Sequence, residues 1–239
     1  MPYFFSDENL EIEKIVSPAA DEMRHVLLSH RVQVGEKIKL QGQDKKRFLC
    51  EVIKIGKNVL NLKCITELQL PQEPQTDLAL YQAVVGEKAL DFILQKGTEL
   101  GLKKIILFNA KNSATKLSQE KFLAKKARWQ KILIEAAKQS ERGVWPELSF
   151  VATVEELKKQ FSSAPLLCLT DISGGRLSTE VKGKDIGIIV GPEGGFTTDE
   201  LAEFKTMSNV VVLGLGSILL RAETAALAAI AGIRMLIGY

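Results

Sequence analysis

Two glycine-dense turns in the last third of the chain carry its strongest chemical signal. Gly191-Pro192-Glu193-Gly194-Gly195-Phe196 follows Asp185-Ile186-Gly187-Ile188-Ile189-Val190, an apolar run with the length and β-branched content of a buried strand. Thr197-Thr198-Asp199-Glu200 comes next, with Leu201 and Phe204 at helical spacing, so a strand ends, a glycine-dense turn follows and a helix starts under a Thr/Asp cap. Glycines leave the backbone bare and let a flat ligand approach it. A second turn of this kind lies downstream. Val210-Val211-Val212-Leu213 reads as another buried strand, and Gly214-Leu215-Gly216-Ser217-Ile218-Leu219-Leu220-Arg221 precedes an Ala-rich helix. Two glycine turns at the ends of neighbouring strands make a binding crevice. Arg221 closes the second turn and is expected to point at the crevice mouth.

Here the sequence resembles a known family. GPEGGF at 191–196, followed by LGLGSILLRAETAAL at 213–227, is similar to the signature of the bacterial 16S ribosomal RNA (uracil-N3)-methyltransferase family, part of the SPOUT superfamily of knotted methyltransferases. The resemblance extends to Gln95-Lys96-Gly97-Thr98-Glu99-Leu100-Gly101. It includes the helix carrying Trp129, Lys131, Glu135, Ala136, Gln139 and Arg142, with Pro146 just after. At the N-terminal end, Met23-Arg24-His25-Val26-Leu27 and Arg31-Val32-Gln33-Val34-Gly35-Glu36 resemble the family's opening motif, with Leu28 where the family usually carries an arginine. A lone GPEGG would be a weak signal, but this series, in order over nearly the whole chain, is specific.

The resemblance implies that the crevice holds S-adenosylmethionine. Backbone groups of tight turns can bind adenine and ribose without phosphate contacts. Val190, Gly191, Pro192 and Gly194 of the first turn suit this role. So do Leu213, Gly214, Gly216, Ile218 and Leu219 of the second, with Leu169-Thr170 as a third wall. Uracil N3 carries a proton at neutral pH and must lose it to become a nucleophile. A guanidinium beside the uracil carbonyls would stabilise the anion, and Arg221 is the candidate. The same side chain would equally serve as a phosphate clamp, or pair with Glu223 or Glu193. Glu193 is a candidate to orient the base, to orient Arg221 or to accept a proton, and a glutamate beside a helix start is often a capping group.

Composition narrows the alternatives. The chain has 239 residues and a hydrophobic fraction of 46%, enough for one large domain or two modest ones. Two histidines and no Cys pair at ligand spacing argue against metal catalysis. No G-x-S-x-G elbow or P-loop occurs. The three scattered cysteines, Cys50, Cys64 and Cys168, read as reduced core thiols of a cytoplasmic protein. MPYFFSDENLEIEK lacks the pattern of a secretory signal, and the longest apolar stretch, Ala225 to Ile237, is too short to span a bilayer. Net charge is only +3, but Lys111 to Arg142 holds nine Lys/Arg against three Asp/Glu, a surplus that suits phosphate contact or merely solvates a helix face.

Residues 1–70 read as a small β-rich module: a strand at Tyr3-Phe4-Phe5, a helix from Pro18 to Ser29 capped by Ser17, and strands at 37–40, 48–55 and 59–65. A proline-marked linker at 71–77 follows. From 78 to 239, strands at 78–85, 104–108, 166–169, 186–190 and 210–213 alternate with helices at 88–100, 118–139, 154–161, 198–207 and 222–237, which argues for a parallel α/β sheet. A Rossmann-type competitor would place its glycine turn after the first of these strands, where Val84-Val85-Gly86-Glu87-Lys88 offers one glycine only.

The resemblance implies that the first module is a PUA-like RNA-binding barrel and that the final third forms a trefoil knot. It also implies a homodimer, with Gln139 and Arg142 of the stripe Arg128, Lys131, Glu135, Gln139, Arg142 lining the approach of the RNA. In the opening motif, Arg24, His25 and Arg31 are the candidate RNA contacts, with His30 beside them. The substrate so implied is 16S ribosomal RNA or the small ribosomal subunit. Another SPOUT methyltransferase, acting on a ribose 2′-hydroxyl or a different base, and a non-catalytic RNA-binding protein are the competing readings.

Overall fold

The computed structural model describes residues 3–27, 31–57, 59–161, 166–176 and 185–237. The chain divides into two compact units, one of residues 1–72 with 137–144, the other of 73–136 with 145–239.

In the small unit, β1 (Tyr3–Phe5), β2 (Ile15–Val16), β3 (Lys37–Gln41), β4 (Arg47–Gly56) and β5 (Val59–Leu68) form one sheet in the order β1-β3-β4-β5-β2. β1 runs parallel to β3 and the other pairs are antiparallel. Alternation along the strands turns Ile38, Leu40, Phe48, Cys50, Val52, Leu60, Leu62 and Cys64 into one core. Cys50 and Cys64 face each other across β4 and β5 with sulfurs 3.4 Å apart, and burial pushes both thiols up, so they stay protonated. The helix α1 spans Ala20–His25 and starts two residues after the expected Pro18. Its start is displaced because the Ala19 N–H donates to the Phe5 carbonyl, which holds residues 18–19 against β1. Ser29 lies outside the described residues, as do Leu28 and His30.

Residues 137–144 are bound into this unit by a buried arginine. The Arg47 guanidinium lies 3.6 Å from the Tyr3 ring centroid and donates to the carbonyls of Glu141 (3.2 Å) and Arg142 (3.1 Å). Tyr3 donates its hydroxyl to the Arg142 carbonyl at 2.7 Å, and burial raises its pKa to about 12, so it remains a donor. Gln41 donates to the Gly143 carbonyl at 3.1 Å.

The large unit is built from β6 (Leu78–Ala83), α2 (Glu87–Glu99), β7 (Lys104–Phe108), most of α3 (Gln119–Gln139), β8 (Glu147–Val151), α4 (Val154–Phe161), β9 (Leu166–Gly175), β10 (Ile186–Val190), α5 (Thr198–Lys205), β11 (Val210–Leu213) and α6 (Ala222–Ile237). Its six described strands are all parallel, in the order β11-β9-β10-β6-β7-β8. β10 is buried throughout. Ile186, Ile188 and Val190 face the core shared with α2, α3 and α6, while Ile189 faces the core shared with α4 and α5. β8 was not expected from the sequence, and β9 continues six residues past Leu169, because Leu213 of β11 pairs with Gly175 after a register shift.

At that shift the two backbones touch. The Gly214 N–H donates to the Gly175 carbonyl at 2.8 Å. A Cβ on Gly214 would lie 2.1 Å from the Gly174 carbonyl oxygen, and one on Gly174 would lie 2.4 Å from the Gly214 nitrogen. At the far end of α6, buried Arg234 donates to the carbonyls of Thr76 (2.8 Å) and Gly101 (2.5 Å), tying the helix to the C-terminal end of α2. α6 buries Ala222, Ala226, Ala229, Ile230 and Ile233 but leaves Ala228, Gly232 and Met235 exposed.

Gly214→Ala is expected to destabilise the fold by about 3 kcal/mol or more, since backbone on both sides blocks relaxation. Gly175→Ala, where a Cβ meets nothing within 4 Å, is expected to cost under about 1 kcal/mol. Chemical denaturation of the two variants checks the contrast.

Candidate active site

The first glycine turn leaves β10 at Gly191 and is braced from three directions. Gln82 of β6 donates to the Gly191 carbonyl at 3.4 Å. Asn112 donates to the carbonyls of Gly194 (3.3 Å) and Gly195 (3.2 Å). Glu193 accepts the Gly86 N–H at 2.8 Å, at the N-terminal end of α2. The turn then enters α5 through a capping box: Thr197 Oγ1 accepts the Glu200 N–H, and Glu200 Oε2 accepts the Thr197 N–H at 2.8 Å. The other oxygen of buried Glu200 accepts the Lys111 N–H at 2.8 Å, so the loop after β7 is fastened to the same turn. Phe196 lies under Gly191, its ring stacked on Phe108 with centroids 6.3 Å apart.

The second turn leaves β11 at Gly214, takes Gly216 through φ +112° and reaches Arg221, whose carbonyl accepts the Ala225 N–H at the start of α6. Thr170 at the third wall donates its hydroxyl to the Ile189 carbonyl at 3.0 Å. Between these walls lies a pocket. Seven of the expected cofactor contacts line it: Thr170, Val190, Gly191, Pro192, Gly216, Ile218 and Leu219. Glu193 lines it as well, and Asp171, Ile172, Gly195, Phe196, Leu215, Leu220, Ala222 and Ala225 complete it.

Four expected residues stand behind the lining. Leu169 and Leu213 are buried in the cores on opposite faces of the sheet. Gly194 abuts Asn112, and Gly214 abuts Gly174. Arg221 is exposed between two lining residues, Leu220 and Ala222, and no hydrogen bond or salt bridge holds its guanidinium among the described residues. It pairs with neither Glu193 nor Glu223.

The helical stripe resolves differently. Arg128 is held by Asp91 (2.8 Å) and Glu87 (2.6 Å). α3 ends at Gln139 in a Schellman turn: Glu141 takes φ +58°, the Arg142 N–H donates to the Ala137 carbonyl and the Glu141 N–H to Lys138. Arg142 is therefore off the helix, and it is 6% exposed, whereas Gln139 is exposed. Arg31 is exposed at φ +46°. Arg24 and His25 lie in α1, and their side chains fall outside the described residues. Among the described residues no cluster of His, Cys, Asp and Glu could hold a metal ion, and no helix is long and apolar enough to cross a membrane.

The lining offers backbone amides and carbonyls, apolar surface and two carboxylates, with no Lys, Arg or His among its described residues. Two carboxylates without a basic side chain favour a neutral or cationic ligand over an anionic one. A family model for the RNA methyltransferase domain matches residues 71–234. The chain belongs to the RNA methyltransferase family. Among its relatives, the ribosomal RNA small subunit methyltransferase E of Rickettsia conorii is 33% identical over 95% of this chain and 91% of its own. That of Bacillus subtilis is 30% identical over 97% of this chain and 94% of its own. The crystal structure of the Neisseria gonorrhoeae ribosomal RNA small subunit methyltransferase E, bound to S-adenosyl methionine, superposes with a TM-score of 0.87 at 29% identity, covering 99% of this chain and 98% of that one.

Sequence reasoning missed Asp171, Gln82 and Asn112. A glutamine inside the apolar strand LALYQA was a readable signal for Gln82, but only the fold brings Asn112 to Gly194. Glu193→Gln retains an acceptor for the Gly86 N–H, and Glu193→Ala does not. Hydrogen exchange at the Gly86 amide is expected to stay within about twofold of wild type in the first and to rise about fivefold in the second, corresponding to one lost hydrogen bond.

Proposed function

We propose that this RNA methyltransferase moves a methyl group from S-adenosylmethionine to N3 of one uridine in 16S ribosomal RNA. The observation that carries the reading is the pocket between the two glycine turns, backbone-rich and free of basic side chains in its described lining, with an arginine at its edge that pairs with none of the described residues. Relatives named for the small ribosomal subunit match over nearly the full chain and supply the substrate class. The cofactor, when bound, supplies an electrophilic methyl on sulfur. The lining residues of the strand end at 170–172 and of the two glycine turns hold it. Arg221 faces the acceptor: its guanidinium stabilises the negative charge that spreads over the uracil carbonyls as N3 loses its proton. Glu193 orients the first turn through Gly86.

The finer architecture follows the same reading. Residues 1–70 act as a PUA-like RNA-binding barrel, 71–77 as linker and 78–239 as a SPOUT domain. Insertion of β10 between β6 and β9, with β11 beyond β9, supports a trefoil knot in the final third. Exposed Ile218 (78%), Leu219 (85%) and Met235 (85%) support a homodimer that covers the pocket rim and the open face of α6. Arg24, His25, Arg31 and Gln139 serve the RNA side, in a cytoplasmic enzyme, whereas Arg142, buried at the end of α3, is left out of that surface.

Mass mapping of 16S ribosomal RNA from cells lacking the protein is expected to show the loss of one methyluridine. An unchanged map would overturn the assigned substrate. With purified protein, Arg221→Ala is expected to lower kcat by roughly 10²- to 10³-fold while cofactor affinity stays within a few-fold. A rise confined to the KM for RNA would make Arg221 a phosphate clamp instead.

A further inference from the structure

Granted the methyl-donor pocket proposed above, its charge has a direction. The only charged side chains in the described lining are Asp171 and Glu193, both carboxylates. They are not equivalent. Glu193 accepts the Gly86 N–H at 2.8 Å at the N-terminal end of α2, where the helix dipole offsets its charge. Asp171, half-buried at the third wall, uses Oδ1 to accept two donors from Ser173, the backbone N–H at 3.0 Å and the hydroxyl. Both donors are neutral, so they orient the carboxylate without cancelling its charge. No salt bridge engages Asp171 among the described residues. The arginine beside the lining, Arg221, stands at the pocket's edge rather than in its wall.

A sulfonium methyl donor enters such a pocket with a positive charge on sulfur. Transfer breaks the S–CH3 bond, the bonding pair stays on sulfur, and the methyl forms a bond to the acceptor nitrogen, whose proton has left to solvent. The remaining thioether is neutral at that atom. The cofactor therefore leaves with one positive charge fewer than it brought.

We propose that Asp171 is the residue by which this pocket distinguishes the charged methyl donor from its demethylated product. Its carboxylate attracts the sulfonium form, and the attraction disappears with the methyl group, which favours exchange of product for fresh donor. One carboxylate at a partly exposed site corresponds to about tenfold in the ratio of the two affinities.

Calorimetric titration of the full chain tests this with three probes: S-adenosylmethionine, S-adenosylhomocysteine and sinefungin, whose amine carries a positive charge at the sulfonium position. Asp171→Asn keeps the size of the side chain and an acceptor for Ser173. It is expected to weaken the two cationic probes about tenfold and S-adenosylhomocysteine less than about twofold. Equal weakening of all three, or of none, overturns the role of Asp171 and leaves the pocket assignment standing. Failure of the wild-type chain to bind any of the three removes the pocket assignment and the proposal together. Should Asp171→Asn not fold, Asp171→Ser carries the same three titrations, and an unchanged ratio of donor to product affinity in that variant overturns the proposal.

Discussion

The candidate site depends on one place where two strands meet without side chains. Gly174 of β9 and Gly214 after β11 pass so closely that a single Cβ on either would strike the other's backbone. The hydrogen bond from Gly214 to the Gly175 carbonyl keeps β11 beside β9 after its register shifts. Because β9 supplies the Thr170–Ile172 wall and β11 leads into the second glycine turn, this contact sets the distance between two sides of the pocket. The third side, the 191–196 turn, leaves β10, which pairs with β9 from the other flank. Neither flank could shift without opening the pocket.

The remaining rigidity is polar. The backbone of the first turn is bent away from regular pairing, so its carbonyls need donors from elsewhere. Gln82 and Asn112 supply them, Glu193 fastens the turn to α2, and Glu200 fastens α5 to the loop after β7. The result is an exposed ligand-facing backbone with a fixed reverse side. A pocket that binds through backbone groups requires this, because it has few side-chain rotamers with which to adapt.

Much of the sheet was legible in the sequence. β7, β10 and β11 and the helices α4 and α6 fall where apolar runs and helical spacing place them, since each carries a strong period or a buried β-branched run. β8 was not, although Glu147-Leu148-Ser149-Phe150 alternates, because the run is only five residues long and follows directly on Pro146. α1 was overread, because Ser17-Pro18 looks like a helix start while the Ala19 N–H is already committed to β1. The pocket lining followed from the glycine turns, yet its braces did not: Gln82 and Gly191 are 109 residues apart, and no local pattern couples them. Arg142 was placed on a helix face because nothing in Glu141 announces a left-handed residue; glycine usually marks such a turn.

The same separations govern how the molecule is made. β10 enters the sheet between β6, formed from residues 78–83, and β9, and Arg234 closes onto Thr76 across 158 residues of chain. Loop closures of that length are slow and are rewarded late. In chain order β6, β7 and β8 come first, and β6 finds its second neighbour only in β10, after β9. Ligand-binding competence is therefore a property of nearly the whole large unit at once.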